Sequence, residues 1–341
     1  MTDRAALAQA FLAQTEWADA TSSLLAGDAS NRKYHRLWRE GSPETAVLMD
    51  APPDKGEDVR PFVRIAQHLT TVGLSAPRIF AEDAQHGFLL LEDLGDALFA
   101  RAIPEDPTLE PTLYTAATDA LIVLHEGATP PGLAAYDADI MTDMAALAFD
   151  WYATGAGVPN QGACQAFHKA MHAVLIRHAA DAEVLIQRDY HAENLLWLPE
   201  RDGVARVGLL DFQDAMVGHR AYDLVSLLQD ARRDVPPAIE AEMIAHYVTV
   251  TGADREAFET AYRCLGAQRN LRILGVFARL CMRDGKRGYI DLIPRVWHHL
   301  QADLTHPALS EVAAILANGL PEPTPAVLQK LSDKCATVPA L

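Results

Sequence analysis

The chain has 341 residues, half of them hydrophobic and 22% charged, with 20 Gly and 20 Pro; that is enough for two buried cores and excludes disordered and fibrous classes. Twenty-nine basic residues against 46 acidic ones give a net charge of −17, which argues against a global footprint for nucleic acid or an anionic membrane. Cys164, Cys264, Cys281 and Cys335 stand far apart without a C-x-x-C pair, so reduced, buried thiols are expected rather than a zinc or disulfide framework.

In chain order, Leu7, Phe11, Leu12 and Trp17 recur near helical spacing and predict an amphipathic helix over 3–20. Charges and glutamines interrupt the same stretch, unlike a signal peptide, and no apolar run approaches the roughly 18 residues that span a bilayer. A cytoplasmic location is expected. Strands are predicted near 22–25 and 34–38, on either side of the turn Gly27-Asp28-Ala29-Ser30-Asn31, and a third over 46–49. Pro61 opens a helix over 61–69. Segments 78–80 and 87–91 then read as an antiparallel pair. Beyond Leu94 the pattern turns to helices near 108–127, 138–155, 160–180, 236–250, 255–284 and 307–317. Short strands at 184–187, 195–198 and 207–210 interrupt them. A small sheet lobe followed by a larger helical lobe is an α+β arrangement. The expected division is an N-lobe over 1–93, a C-lobe over 94–330 and a loosely held tail over 331–341.

The informative segment is 184–197. An apolar strand enters a polar loop carrying Asp189 and Asn194 in the pattern Asp-x-x-x-x-Asn, and a second apolar strand leaves it. Seventeen residues beyond Asn194, another apolar strand ends in Asp211-Phe212-Gln213-Asp214. Phosphoryl transfer needs these types together. The γ-phosphate of ATP must be neutralised by divalent cations before it is attacked. Mg²⁺ takes one or two hard oxygen ligands from protein, the rest from phosphate and water; Asn194 and Asp211 suit that task. The attacking hydroxyl needs a proton acceptor, for which Asp189 is placed, and such help is worth about 10²–10⁴ in rate.

Segments 187–194 and 209–213 resemble the catalytic and metal-binding loops of the aminoglycoside phosphotransferase family, which shares the protein-kinase-like two-lobed fold. Within it, 27–30, 47–52, 211–215, 222–230 and 277–280 are most similar to bacterial anomeric sugar kinases. The resemblance spans roughly 20–300. It implies a nucleotide-binding N-lobe with one main helix, a catalytic, sugar-binding C-lobe, and ATP with Mg²⁺ as cofactors. It also implies phosphorylation of the C1 hydroxyl of N-acetylmuramate or N-acetylglucosamine in cell-wall recycling. The partners would be ATP and a sugar, without nucleic acid or membrane, in a monomer or weak dimer.

Three positions depart from the family pattern. Gln187 replaces the His that often stands two residues before the catalytic Asp, and Gln213 replaces the Gly of Asp-Phe-Gly. The third strand should carry a Lys for the α- and β-phosphates, yet Met49 stands there. Arg32, Lys33 and Lys55 are nearby cations.

Gly27, Asp28, Ala29, Ser30 and Asn31 form a small polar turn able to bring backbone N–H groups over phosphate. Glu92 and Leu94 lie where the family joins its lobes, and their main-chain atoms are candidates for the adenine edge. Arg269, Arg272 and Arg279 belong to a basic run over 263–287 that contains one acid, Asp284. Guanidinium groups bind carboxylate in bidentate fashion, so these three are candidates for a sugar acid. Two other readings stand beside the sugar kinase: an aminoglycoside or amino-alcohol O-phosphotransferase, and a nucleotide-binding regulator without catalysis.

Overall fold

The computed structural model describes residues 4–27 and 31–339. In chain order these form α1 (Arg4–Leu12), β1 (Thr21–Gly27), β2 (Lys33–Trp38), β3 (Thr45–Asp50), α2 (Arg60–Thr71), β4 (Ile79–Asp83) and β5 (Phe88–Glu92). Next come α3 (Phe99–Glu105), α4 (Glu110–Glu126), α5 (Ala138–Leu147), α6 (Thr154–Ala156), α7 (Gln161–His178), β6 (Val184–Ile186), β7 (Leu195–Trp197), β8 (Val207–Leu209) and β9 (Met216–Gly218). The chain ends with α8 (Tyr222–Leu228), α9 (Pro237–Thr251), α10 (Arg255–Met282), α11 (Ile293–Asp303), α12 (Ser310–Gly319) and α13 (Pro325–Asp333). Two compact units result, Met1–Leu124 with Glu193–Ala215, and His125–Ala192 with Met216–Leu341.

The first unit is built on an antiparallel sheet of order β1-β2-β3-β5-β4. Successive side chains of a strand alternate between faces. Leu37, Ala46, Leu48, Phe88 and Leu90 therefore share one face, closed by Phe11 and Trp17. Tyr34, Val47 and Leu91 turn to the other face and line a cavity. The helix expected over 3–20 stops at Leu12. There the Thr15 hydroxyl donates to the Leu12 carbonyl at 2.9 Å and accepts the Trp17 N–H at 3.1 Å, a local turn that competes with helix and drops Trp17 into the core.

The hairpin β7–β8 packs within this first unit. Trp197 N–H donates to Ala97 O at 2.8 Å, and Leu209 N–H to Ser75 O at 2.9 Å. The compact units thus follow a different line from the lobes expected on either side of residue 93. Gly87, in the turn before β5, has φ +75, and a Cβ there would lie 1.9 Å from the Ala51 carbonyl oxygen. Only glycine fits that approach.

In the second unit, α10 is the buried spine. Gly275 lets it meet α5 backbone to backbone, since a Cβ would fall 2.3 Å from the Leu147 carbonyl carbon. The helix expected over 138–155 is interrupted by a wide π-helical turn at Ala148–Ala153 before α6. The extra residue in that turn turns both Phe149 and Tyr152 inward, against Phe167 and Trp297 respectively. The tail expected to be loose is tied down. Leu331 is buried, and the amides of Ala336 and Val338 donate to Cys281 O and Met282 O at 3.1 and 3.0 Å. Among the described residues, no helix is long and apolar enough to cross a membrane.

Candidate active site

The β7–β8 register pairs Leu195 with Leu209 and Trp197 with Val207. Asn194 precedes the first strand and Asp211 follows the second, so the ladder brings both to one end of the hairpin. The Leu210 N–H donates to Asn194 O at 2.9 Å and closes that end. Both residues line a cavity of about 450 Å³ within the first unit. Asp211 adopts φ +56, a left-handed conformation that costs a non-glycine residue energy and marks functional loops. Its Oδ1 accepts the Gln213 amide at 2.7 Å. Phe212 is fully buried, its ring 4.7 Å from that of Phe62 on α2. The residue in the place of the family glycine is thus a donor to the carboxylate it follows.

An amide oxygen and a carboxylate at one hairpin end match what Mg²⁺ takes from a protein when phosphates complete its shell. No group of three or more His, Cys, Asp or Glu able to hold a metal exists among the described residues. Asn194 and Asp211 supply two hard oxygens, a donor set that fits a cation whose shell the nucleotide phosphates complete.

The remaining cavity wall is largely apolar, with Leu25, Val47, Leu91, Leu196 and Leu210, beside the chain segment 92–96. Glu92 and Leu94 both line it. The Glu92 side chain is committed elsewhere: Oε1 accepts Arg201 at 2.8 Å and Arg78 at 3.2 Å. That leaves a main-chain role as the one open to it. Sequence reasoning missed the polar brace beside it. Arg36 projects from the cavity face of β2 and bonds Asp93 and Asp96 at 2.6–3.0 Å. Its pKa is raised by the Asp96 and Asp93 hydrogen bonds; burial opposes ionisation of Asp93, but Arg36 and the Gly95 N–H hold its pKa down. Strand alternation places Arg36 on that face, but its partners lie 57 and 60 residues away and no local pattern reveals them.

Of the expected phosphate turn, Gly27 ends β1 opposite Lys33. Asn31 donates its N–H to Glu57 Oε1 at 3.1 Å and its amide to Lys55 O at 3.3 Å. Asp28, Ala29 and Ser30 lie outside the described residues. Met49 is buried in β3 opposite Tyr34. Glu193, next to Asn194, also lines the cavity.

In the second unit, β6 delivers the chain to Asp189. Asp223, fully buried on α8, accepts the N–H of Gln187 at 2.6 Å and of Arg188 at 2.9 Å. These bonds hold the turn in which Arg188 has φ +71. Burial pushes the Asp223 carboxyl up to about 7 despite both donors. Gln187, where the family often has His, is the backbone anchor of the loop.

Asp189 keeps its negative charge. Burial works against its charge, but Arg272, His191, Arg269 and Arg188 more than offset it, so its pKa falls below the usual carboxylate range. Burial takes His191 down to about 4, and its Nε2 faces an Arg232 Nη1 at 3.3 Å. The three candidate arginines separate in role. Arg269 is buried, donating to Ser226 Oγ at 2.8 Å and Gln229 O at 3.3 Å. Ser226 in turn donates to Arg188 O at 3.3 Å, so Arg269 braces the loop from behind. Arg272 stays charged: burial opposes it, but Tyr222, Tyr136 and Asp189 more than compensate. Arg279 sits beside Arg283 and Asp284, its pKa lowered mainly by burial.

A five-stranded antiparallel sheet with a hairpin presenting Asn194 and Asp211 at one end is the architecture of a phosphotransferase of the protein-kinase-like class. The chain belongs to the phosphotransferase enzyme family, whose model matches residues 21–259. It is 40% identical to the N-acetylmuramate/N-acetylglucosamine kinase of Caulobacter vibrioides, over 92% of this chain and 96% of that one. It is 36% identical to the kinase of the same name from Pseudomonas aeruginosa, over 85% and 86%. Among solved structures, the choline kinase LicA from Streptococcus pneumoniae superposes with a TM-score of 0.60 at 13% identity, covering 87% of this chain and 99% of that one. That likeness shows the fold.

Proposed function

We propose that the protein transfers the γ-phosphoryl group of ATP to the anomeric hydroxyl of an amino sugar, N-acetylmuramate or N-acetylglucosamine, in the cytoplasm. The observation that carries this reading is the likeness, over nearly the whole chain, to curated kinases with both sugars in their name. The site chemistry supports it. Asp189 accepts the hydroxyl proton and orients the oxygen. Asn194 and Asp211 hold Mg²⁺, which supplies charge neutralisation to the phosphates. Asn194 follows Asp189 by five positions in the chain, a covalent tether of at most about 18 Å. The apolar wall of Leu25, Val47, Leu91 and Leu196 takes the adenine, with main-chain atoms of Glu92 and Leu94 at its edge.

Arg272 beside Asp189 favours a sugar that carries a carboxylate and disfavours a polycationic aminoglycoside, which would meet like charge. Arg269 supports the loop, and Arg279 lies farther along the same helix.

The test is to incubate the protein with Mg·ATP and each sugar and follow ADP release with ³¹P NMR of the product. An acid-labile sugar phosphate is expected from either sugar. ATP hydrolysis unstimulated by both, or an acid-stable phosphomonoester, would sink the reading.

A further inference from the structure

The chain lacks the strand-three lysine that kinases set against the α- and β-phosphates, and Met49 in its place is a buried thioether. A nucleotide's phosphates still need a fixed cation beside the metal. The register of the sheet says where one can come from. Cross-strand partners share a face, and β2 pairs Tyr34 with Met49 and Arg36 with Val47. Tyr34 and Val47 both line the cavity, so the even-numbered positions of β2 look into it. Arg36 is consumed by Asp93 and Asp96. Arg32 lies two residues before Tyr34, immediately ahead of the β2 ladder. Lys33 falls on the opposite face, across from Asp50, and both Lys33 and Lys55 are exposed.

Arg32 is also held. Its side chain is only 14% exposed, and its Nε donates to Glu57 Oε2 at 2.7 Å. The other oxygen of Glu57 accepts the Asn31 N–H, so one carboxylate fixes both residues that lead into β2. Burial opposes the guanidinium charge, but Tyr34, Glu57 and Asp214 outweigh it. Asp214 lies three residues beyond Asp211, which places the Arg32 guanidinium on the side of the metal-binding loop.

Resting on the phosphotransferase reading above, we propose that Arg32, positioned by Glu57, is the cation that binds the nucleotide phosphates in place of the missing lysine. The pair reproduces the Lys–Glu couple of kinases with the cation moved from the third strand to the residue that leads into the second and the acid to the segment before α2. A guanidinium fork binds two phosphate oxygens at once, which suits a group approaching from the neighbouring strand.

The experiment measures, on the full chain with Mg²⁺, calorimetric dissociation constants for ATP, ADP and adenosine, with melting temperatures and KM for ATP. Arg32→Ala should weaken ATP and ADP about 10- to 100-fold and leave adenosine within about 2-fold, while the melting temperature falls because Glu57 loses its partner. Arg32→Lys should restore part of the loss, and Glu57→Gln should fall between wild type and Arg32→Ala. Equal weakening of adenosine and ATP would show a structural role and overturn the assignment. So would a phosphate-specific loss in Lys33→Ala or Lys55→Ala with none in Arg32→Ala, or a wild type that binds ADP no more tightly than adenosine. Phosphate discrimination reads Arg32, whereas the sugar assay reads the reaction, so the two claims fail separately.

Discussion

At the scale of single residues, the proposed mechanism assigns the proton to Asp189 and the shape of its loop to Asp223. Asp189→Asn keeps the shape and removes the acceptor, so kcat should fall about 10²–10⁴ while the calorimetric affinity for ATP stays within about 3-fold. A comparable fall in ATP affinity would mean that Asp189 serves the nucleotide. Asp223→Asn should act through the backbone. An amide oxygen can accept one of the two N–H groups, and the other faces an NH₂ donor. A buried donor without an acceptor costs about 1–3 kcal/mol, read by urea unfolding, with kcat down at least about 10-fold. The polar loops that carry Asp189, Asn194 and Asp211 were legible because each adjoins a short apolar strand. The Arg36 brace and the Arg32–Glu57 pair were not, because their members are 25 to 60 residues apart and meet only through sheet register.

At the scale of elements, strand alternation decided which residues reach the cavity, and close backbone approaches fixed where the strands end. Gly87→Ala would combine a left-handed backbone with a carbon 1.9 Å from the Ala51 oxygen. The conformation alone costs about 1–2 kcal/mol, and relief of the clash adds to it, so a loss of at least about 2 kcal/mol is expected in denaturant unfolding. The sheet strands, α2 and the long helices were readable from period and punctuation. α8 was not, because all seven of its residues are buried and no amphipathic stripe betrays it. β9 is three residues long and acquires its identity by pairing with β6.

At the scale of the whole molecule, buried ionisable groups give stability a pH dependence. His125 is buried against the Tyr247 hydroxyl at 2.8 Å, and burial lowers its pKa to about 3. In the unfolded chain the ring takes a proton near pH 6.5. Between these values the unfolded state binds more protons, so stability falls as the pH drops from about 6.5 towards 3. From pH 7.5 to 5.0 this one ring accounts for about 2 kcal/mol. His125→Asn should lose some stability at pH 7.5 yet show a difference between the two pH values smaller by about that amount in urea titrations. An unchanged difference would mean that the ring is protonated in the native state.

The thioether at position 49 also bears on chemical labelling. An acylating analogue of ATP aimed at a third-strand lysine needs a nucleophilic amine at that position. Methionine has no nitrogen to acylate, and an arginine that stays protonated is no nucleophile. Such a probe should therefore dock and leave positions 49 and 32 unmodified, and covalent inhibitors built on that amine would pass this enzyme by.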